Sequence, residues 1–328
     1  MRTPSPTFLP CGSTNMKPLT INLLTKNNEE TLRACLDSVM PLRPRLAVAD
    51  LGSDDRTVEI CRSYGASVFA MTWDGDFSRL RNELAARTNT EWQFWLDPWE
   101  ELAGGGELVE DALHSDGPYR IYILRDEQIT KETRIWRKGA ACFRRPAFES
   151  VEPSGLHLPV IVRSAAGWAK ETAGAVAAWA ARHQTPGEVD YYVACTLLAD
   201  KRYDDFIRKA ERYLHAEASR IDSVFLSHYY LGVVQLKVKK NVGAALNHAL
   251  VCVASHPTVA EFWCLLGDVE LAMGHVAKAR TIYRNAVDLG ARRTEADGLP
   301  IDLTKYGEYP DRMTARCDDL IREIRTAR

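Results

Sequence analysis

At 328 residues, with 46% hydrophobic and 26% charged residues, the chain is long enough for two domains with well-buried cores. A formal net charge of −2 gives no general electrostatic reason to expect nucleic acid or an anionic membrane as partner. No apolar run approaches the roughly 20 residues that span a bilayer.

The first 18 residues, "MRTPSPTFLPCGSTNMKP", are rich in Pro, Ser and Thr and lack the apolar core of a signal peptide. They read as a disordered leader, with Met16 available as an alternative start. The N-terminal half then alternates short apolar runs with amphipathic stretches. "LTINLLT" (19–25) predicts a strand, and "NEETLRACLDSV" (28–39) a helix with Leu32, Cys35, Leu36 and Val39 on one face. "RLAVAD" (45–50), "ASVFAM" (66–71) and "WQFWLD" (92–97) predict three more strands. "DDRTVEICRSYG" (54–65), closed by Gly65, and "DFSRLRNELAART" (76–88) predict the helices between them. Alternation with short loops implies a mostly parallel sheet covered on both faces, of Rossmann-like α/β type. Ligands of such sheets bind beyond the carboxyl ends of the strands, where Thr25, Asp50 and Asp97 fall.

After "AGGG" (103–106) the pattern changes. "YRIYILRD" (119–126), "TRIWRK" (133–138) and "AACFRR" (140–145) predict a mixed or antiparallel extension, and "EPSGLHLPV" (152–160) a loop. From Ala165 the chain is almost wholly helical, and it repeats. Leu231-Gly232 and Leu266-Gly267 stand 35 residues apart, which places Ala244 on Ala279, and Leu197-Leu198 marks a weaker copy 34 residues earlier. An aromatic-x-Leu-Gly start and this period resemble tetratricopeptide (TPR) repeats, all-α helix pairs whose stack leaves a groove. A plain helical bundle is the alternative. "GLPIDLTKYGEYPDR" (298–312) reads as a loop before a last, capping helix. The resulting division is a leader (1–18), an α/β domain (19–164), helical repeats (165–295) and a loop with its capping helix (296–328). The 8 cysteines form no C-x-x-C pair and sit mostly in apolar helical patterns, which favours reduced thiols in a cytoplasm over disulfides or zinc.

Four ordered blocks carry a family resemblance: "TKNNEETLRACLDSV", "ADLGSDDRTVEI", "DFSRLRNELA" and "LDPWEE". Together they resemble the family 2 glycosyltransferases of GT-A fold. The likeness is greatest to a bacterial and phage subgroup whose catalytic domain precedes TPR-like helices, including peptide S-glycosyltransferases of the sublancin type. By this resemblance Asp50 contacts the base of a nucleotide sugar, the Arg81-Asn82 pair faces the nucleotide, and Thr25, Lys26 and Asn27 lie on its edge. A structural reading stands beside each: Ser53 to Asp55 as a helix cap after Asp50, and Arg81 as an arginine paired to a neighbouring acid.

Two departures concern the metal. The family's DxD element reads Asp97-Pro98-Trp99, so the second acid, which would ligate Mn²⁺ or Mg²⁺, is an indole. Asp97 alone is left as a weak metal ligand or a ribose contact, and Trp99 is suited to stacking on a sugar. The family's His-Glu pair aligns with Phe148-Glu149. The chain then reads as an enzyme with little or no metal dependence. Positive charge would come from Arg134, Arg137, Lys138, Arg144 or Arg145, residues that otherwise form a solvated basic face. Glu149, then Glu100, are the candidates for general base, against a plain surface acid.

Two functions follow. One is an inverting glycosyltransferase moving a sugar from a nucleotide donor, read as a UDP-sugar, to a protein or peptide held by the repeats, which would equally serve a homodimer. The other is a non-catalytic TPR adaptor with a degenerate transferase domain, for which Asp50, Arg81 and Asp97 would not matter. A nucleotidyltransferase is a remote third, lacking paired metal ligands and a Gly-rich phosphate loop. No membrane partner is expected, and nucleic acid is disfavoured.

Overall fold

The computed structural model describes residues 19–147, 149–164, 169–182, 187–216, 221–290, 299 and 301–326. The leader reading and Cys11 therefore lie outside the described residues.

Strands β1 (Leu19–Thr25), β2 (Arg45–Asp50), β3 (Ser67–Ala70) and β4 (Trp92–Trp95) form a parallel sheet in the order β3-β2-β1-β4. All 7 residues of β1 are buried, as a strand covered on both faces requires. Ile21, Leu23, Val48 and Phe94 pack on one face with Leu32, Cys35, Leu36 and Val39 of α1 (Leu32–Val39). Leu24, Ala49 and Trp95 pack on the other with Phe77, Leu80 and Leu84 of α3 (Phe77–Arg87).

Two helices start later than their sequence patterns predict. α1 begins at Leu32 and α2 (Thr57–Ser63) at Thr57, because the preceding residues join the two loops at the strand ends. Asn27 N–H donates to Ser53 Oγ, Asp54 N–H to Asn27 Oδ1, Arg56 N–H to Glu29 Oε2 and Glu29 N–H to Asp55 Oδ2. Polar side chains that favour helix caps serve here as staples between loops.

Beyond β4 the chain forms β5 (Glu100–Gly104), α4 (Gly106–Ala112), β6 (Tyr119–Arg125), β7 (Gln128–Arg137), β8 (Cys142–Arg144), β9 (Ser150–Glu152) and β10 (Leu156–Ser164). The sheet continues β4-β7-β6-β10-β5, with β7 antiparallel to β4 and β10 parallel to β6; β8 and β9 form a separate hairpin. The predicted loop over 152–160 is thus largely strand. Val160, Val162 and Ser164 are buried between exposed neighbours, but Pro159 and an irregular register between His157 and Ile161 break the sequence pattern.

Helix α5 (Ala169–Arg182) packs Ala175, Val176 and Trp179 into the same core as α3. Three helix pairs follow: α6 (Glu188–Ala199) with α7 (Tyr203–Leu214), α8 (Ile221–Lys237) with α9 (Val242–Ser255), and α10 (Ala260–Ala272) with α11 (Val276–Gly290). The repeat glycines mark tight approaches: a Cβ at Gly232 would lie 2.8 Å from Leu265, and one at Gly267 would lie 2.6 Å from the Tyr283 ring. Ala279 is fully buried, but its buried counterpart in the preceding pair is Ala245, not the expected Ala244. The turn between α8 and α9 is one residue longer than that between α10 and α11, so the spacing falls from 35 to 34 across it. The predicted loop over 298–312 contains β11 (Ile301–Asp302), a 3-10 turn and the start of α12 (Glu308–Thr326). Strand β11 pairs with Gln128 and Ile129 of β7, tying the C-terminal part to the sheet.

No helix among the described residues is long and apolar enough to cross a membrane. All 7 described cysteines are free, and 5 of them are buried.

Candidate active site

The site is built where β4 ends. Asp76 caps α3 by accepting from Arg79 N–H at 2.9 Å, which fixes the helix start and places Arg81 on the side of Phe77 that faces the sheet. Arg81 is 5% exposed. Its Nη2 donates to Asp97 Oδ1 and its Nε to Glu149 Oε1, both at 2.8 Å. The guanidinium also stacks within 5.4 Å of Trp95 and 5.2 Å of Phe143. Burial works against its charge, but Asp97 and Glu149 outweigh it and hold its pKa above the ordinary arginine value. Asp97 answers in kind: burial raises its pKa, Arg81 and Arg134 pull it down, and the net direction is down.

A second cluster lies directly behind. Glu100 is fully buried; its Oε2 accepts from Asp97 N–H at 2.9 Å and from Arg134 Nη1 at 3.0 Å, and its Oε1 from Arg134 Nη2 at 3.1 Å. Arg134 also donates to Glu132 Oε2 at 2.8 Å, and Arg125 to Glu132 Oε1 at 2.8 Å. Burial pushes Glu100 up to about 7 against the pull of Arg134, whereas Arg134 and Arg125 overcome burial at Glu132 and hold it at about 2. The register of β7 against β6 shifts beside Arg120, an irregularity of the kind that re-aims side chains next to sites.

These groups border a cavity of about 700 Å³. Arg81, Asp97, Trp99, Phe143 and Glu149 line one part of it. Arg120, Arg125, Lys131, Thr133 and Arg134 of β6 and β7 line another, Ser150 to Ser154 the side of β9, and Thr172 of α5 also reaches it.

Of the residues singled out in the sequence, the structure brings together Arg81, Asp97, Trp99 and Glu149 on this cavity. Glu100 lies behind Arg134 and does not line it. Thr25, Lys26, Asn27 and Asp50 stand outside the lining. Thr25 is fully buried with its hydroxyl toward Ala49 O, Lys26 N–H donates to Asn28, and Asn27 links the two loops. The Asp50 carboxylate accepts from Gly52 N–H, Ser53 N–H and Ser53 Oγ of its own turn, and Ser53 does not cap α2, which starts at Thr57 with Arg56 at the N-cap. Asn82 uses both ends of its amide on the backbone of Phe143, at 2.9 Å each, and so clamps β8 to α3.

Among the proposed cations only Arg134 lines the cavity. Arg137 pairs with Glu91 and stacks on Trp92, Lys138 donates to the carbonyls of Ala86 and Thr88, Arg144 lies 3.7 Å from Glu152, and Arg145 stacks on Tyr192. Phe148 lies outside the described residues. Sequence reasoning missed Arg120, Arg125 and Lys131. The alternation in "YRIYILR", with Arg120 and Tyr122 opposed to the buried Ile121 and Ile123, was the available signal for Arg120; Arg125 and Lys131 had none of that kind.

The residues present do not fit a divalent cation. Trp99 offers no oxygen, Asp97 Oδ1 holds Arg81, Glu100 is committed to Arg134, and no group of three potential ligands converges among the described residues.

The strand ends, Asp97 and the α3 arginine all belong to one stretch that matches a known family. Residues 20–98 match the Glycosyl transferase family 2 model. That match takes in β1 to β4 and the three helices between them. A TPR repeat-containing protein of Synechococcus elongatus is 30% identical over 151 residues, covering 44% of this chain and 38% of the relative. An uncharacterized glycosyltransferase of Rickettsia typhi is 27% identical over 115 residues, covering 34% and 38%. The chain therefore spans less than half the length of the curated relatives it matches. Among solved structures, TarS of S. aureus (residues 1–349) aligns over 88% of this chain and 89% of its own at 13% identity and a TM-score of 0.35. MamA of Desulfovibrio magneticus RS-1 aligns over 47% and 78% at 24% identity and a TM-score of 0.37. In this chain the matched stretch is followed by the sheet extension and the three helix pairs.

Proposed function

We propose that this protein is a glycosyltransferase that moves a sugar from a nucleotide donor, read as a UDP-sugar, to a protein or peptide acceptor in the cytoplasm. The observation that carries the reading is the meeting of Arg81, Asp97, Trp99 and Glu149 on one cavity at the carboxyl edge of a family 2 glycosyltransferase sheet. Trp99 offers an apolar face to a sugar ring, and Asp97, fixed by Arg81, keeps a second oxygen for a hydroxyl of the donor.

In the proposed reaction Glu149 takes the proton of the acceptor's hydroxyl or thiol. The acceptor atom bonds to the anomeric carbon from the side opposite the departing group. The bond from that carbon to the phosphate oxygen breaks, and its electron pair leaves on the nucleoside diphosphate. Arg81 sets the position of Glu149 through the 2.8 Å bond to Oε1. Charge on the leaving group is met by side chains rather than a divalent ion, since the residues at the DxD position do not fit one. The helix pairs support a protein acceptor or a second copy of the chain as partner.

A specific observation keeps the adaptor reading alive: the Asp50 carboxylate is taken up by its own turn. Thermal denaturation with a panel of nucleotide sugars separates the two. A ligand specific to the native state at about one hundred times its Kd adds about 2.7 kcal/mol. The transferase reading expects one donor to stabilise the protein and Asp97→Ala to remove the effect. No response to any donor, with Asp97→Ala unchanged in partner binding, favours the adaptor.

A further inference from the structure

Arg134 borders the cavity, yet every nitrogen of its guanidinium is already engaged. Nε donates to Glu132 Oε2 at 3.1 Å. Nη1 donates to Glu100 Oε2 at 3.0 Å and to the Trp95 carbonyl at 3.3 Å. Nη2 donates to Glu100 Oε1 at 3.1 Å and to Glu132 Oε2 at 2.8 Å. A guanidinium has no further N–H to offer, so a direct bond to a ligand would have to displace one of these. Glu100 is in the same position. It is fully buried, and both of its oxygens accept from the protein.

What this pair holds is the turn between β4 and β5. Glu100 Oε2 takes the Asp97 N–H at 2.9 Å, and Glu100 N–H donates back to the Asp97 carbonyl at 2.9 Å. Arg134 holds the Trp95 carbonyl on the strand side of the turn, where Leu96 N–H donates to Asn22 O of β1 at 3.2 Å. Pro98 fixes its own φ in the middle. Arg81 then takes Asp97 Oδ1, so the amide, the carbonyl and one carboxylate oxygen of Asp97 are all tied down. Oδ2 accepts no hydrogen bond among the described residues, and Asp97 lines the cavity. A buried acid–arginine pair contributes little net stability against apolar side chains of the same size. What this one contributes is direction, because it grips the main chain on both sides of the residue that carries Oδ2.

We propose that Glu100 and Arg134 are positioning residues of the donor site: they set the turn after β4 so that Asp97 Oδ2 meets a hydroxyl of the donor, without bonding to the donor themselves. This rests on the transferase reading, which supplies the donor.

The test is calorimetric titration of the full chain with UDP-glucose and UDP-N-acetylglucosamine, in the wild type, Glu100→Gln, Asp97→Asn and the double variant. Glutamine offers a single acceptor oxygen in place of a carboxylate, so either the Asp97 N–H or part of the Arg134 fork is released. The positioning role predicts that Glu100→Gln weakens the bound sugar nucleotide about tenfold, the worth of the one charge-assisted hydrogen bond made by Oδ2. It also predicts that the double variant binds no more weakly than Asp97→Asn, since both substitutions act through one carboxylate. A residue that only steadies the fold lowers Tm without this coupling, and its factor multiplies with that of Asp97→Asn. Without ligand, amide exchange in the segment carrying Asp97 should rise in Glu100→Gln ahead of that in β1. If Glu100→Gln does not fold, Glu100→Asp, which keeps the charge for Arg134 on a shorter stem, takes its place in each comparison. Unchanged affinity, losses that multiply, or unchanged exchange, in a wild type that binds either sugar nucleotide, overturns the positioning role and leaves the transferase reading standing. A wild type that binds neither overturns the UDP-sugar reading and the positioning role with it.

Discussion

Arg81 donates to Asp97 through Nη2 at 2.8 Å in a setting where the two side chains are 6% and 11% exposed. The same guanidinium reaches Glu149 through Nε, so one arginine fixes the two acids of the cavity that the transferase reading uses. Arg81→Ala leaves both carboxylates buried without their partner, and a loss on the order of 3–5 kcal/mol is expected in urea unfolding. Arg81→Lys keeps the charge but lacks the fork that bonds two acids at once. It is expected to fold and to turn over more slowly, with binding of the donor less affected than kcat.

Glu149→Gln preserves the size of the side chain and its bond from Arg81 while removing the base. If Glu149 takes the acceptor proton, kcat falls by about 10²–10⁴ and the Kd for nucleotide changes little. An unchanged kcat assigns the base elsewhere. Glu100 is then a poor substitute, because it lies behind Arg134 with its oxygens committed.

Two glycine substitutions should act in opposite directions. Gly267→Ala puts a methyl into the Tyr283 ring, and overpacking of this kind costs about 1–3 kcal/mol. Gly174 sits inside α5 with nothing within 4 Å of an added Cβ, so Gly174→Ala should stabilise by about 0.5–1 kcal/mol. Chemical denaturation of both variants against the wild type checks the pair.

His228 and His248 meet Nδ1 to Nδ1 at 2.9 Å between α8 and α9, a contact that requires at least one neutral ring. Burial, then His228, lowers His248 to about 4, and burial lowers His228. Both folded-state values lie below the unfolded one, so the neutral pair is fully stabilising above the ordinary histidine pKa. That contribution is lost as pH falls from about 6.5 toward 4. A His248→Asn variant should show a shallower fall in stability over that window, read from urea midpoints at successive pH values.

Much of this could be read from the sequence, for identifiable reasons. The parallel strands are apolar runs between amphipathic helices, a pattern burial imposes on both faces, and the repeat glycines lie at positions where two helices touch. β10 was hidden because Pro159 and an irregular register interrupt its alternation, and β5 because "EELAG" has little apolar content. Arg81, Asp97, Trp99 and Glu149, which line one cavity, were singled out through the family resemblance of their motifs. Arg120 and Lys131 were not, since what unites them is strand register between segments with no motif of their own. Asn82 and Asp50 show the reverse: residues that fit a binding motif make backbone contacts in the folded chain, Asn82 with both ends of its amide.

The central claim is transfer from a nucleotide sugar with side chains, not a divalent ion, meeting the leaving group. It is tested most directly by the rate of nucleotide release from the donor that stabilises the protein, measured in EDTA and in Mn²⁺. Equal rates, abolished together in Asp97→Ala, are predicted; turnover that appears only with Mn²⁺ contradicts the account.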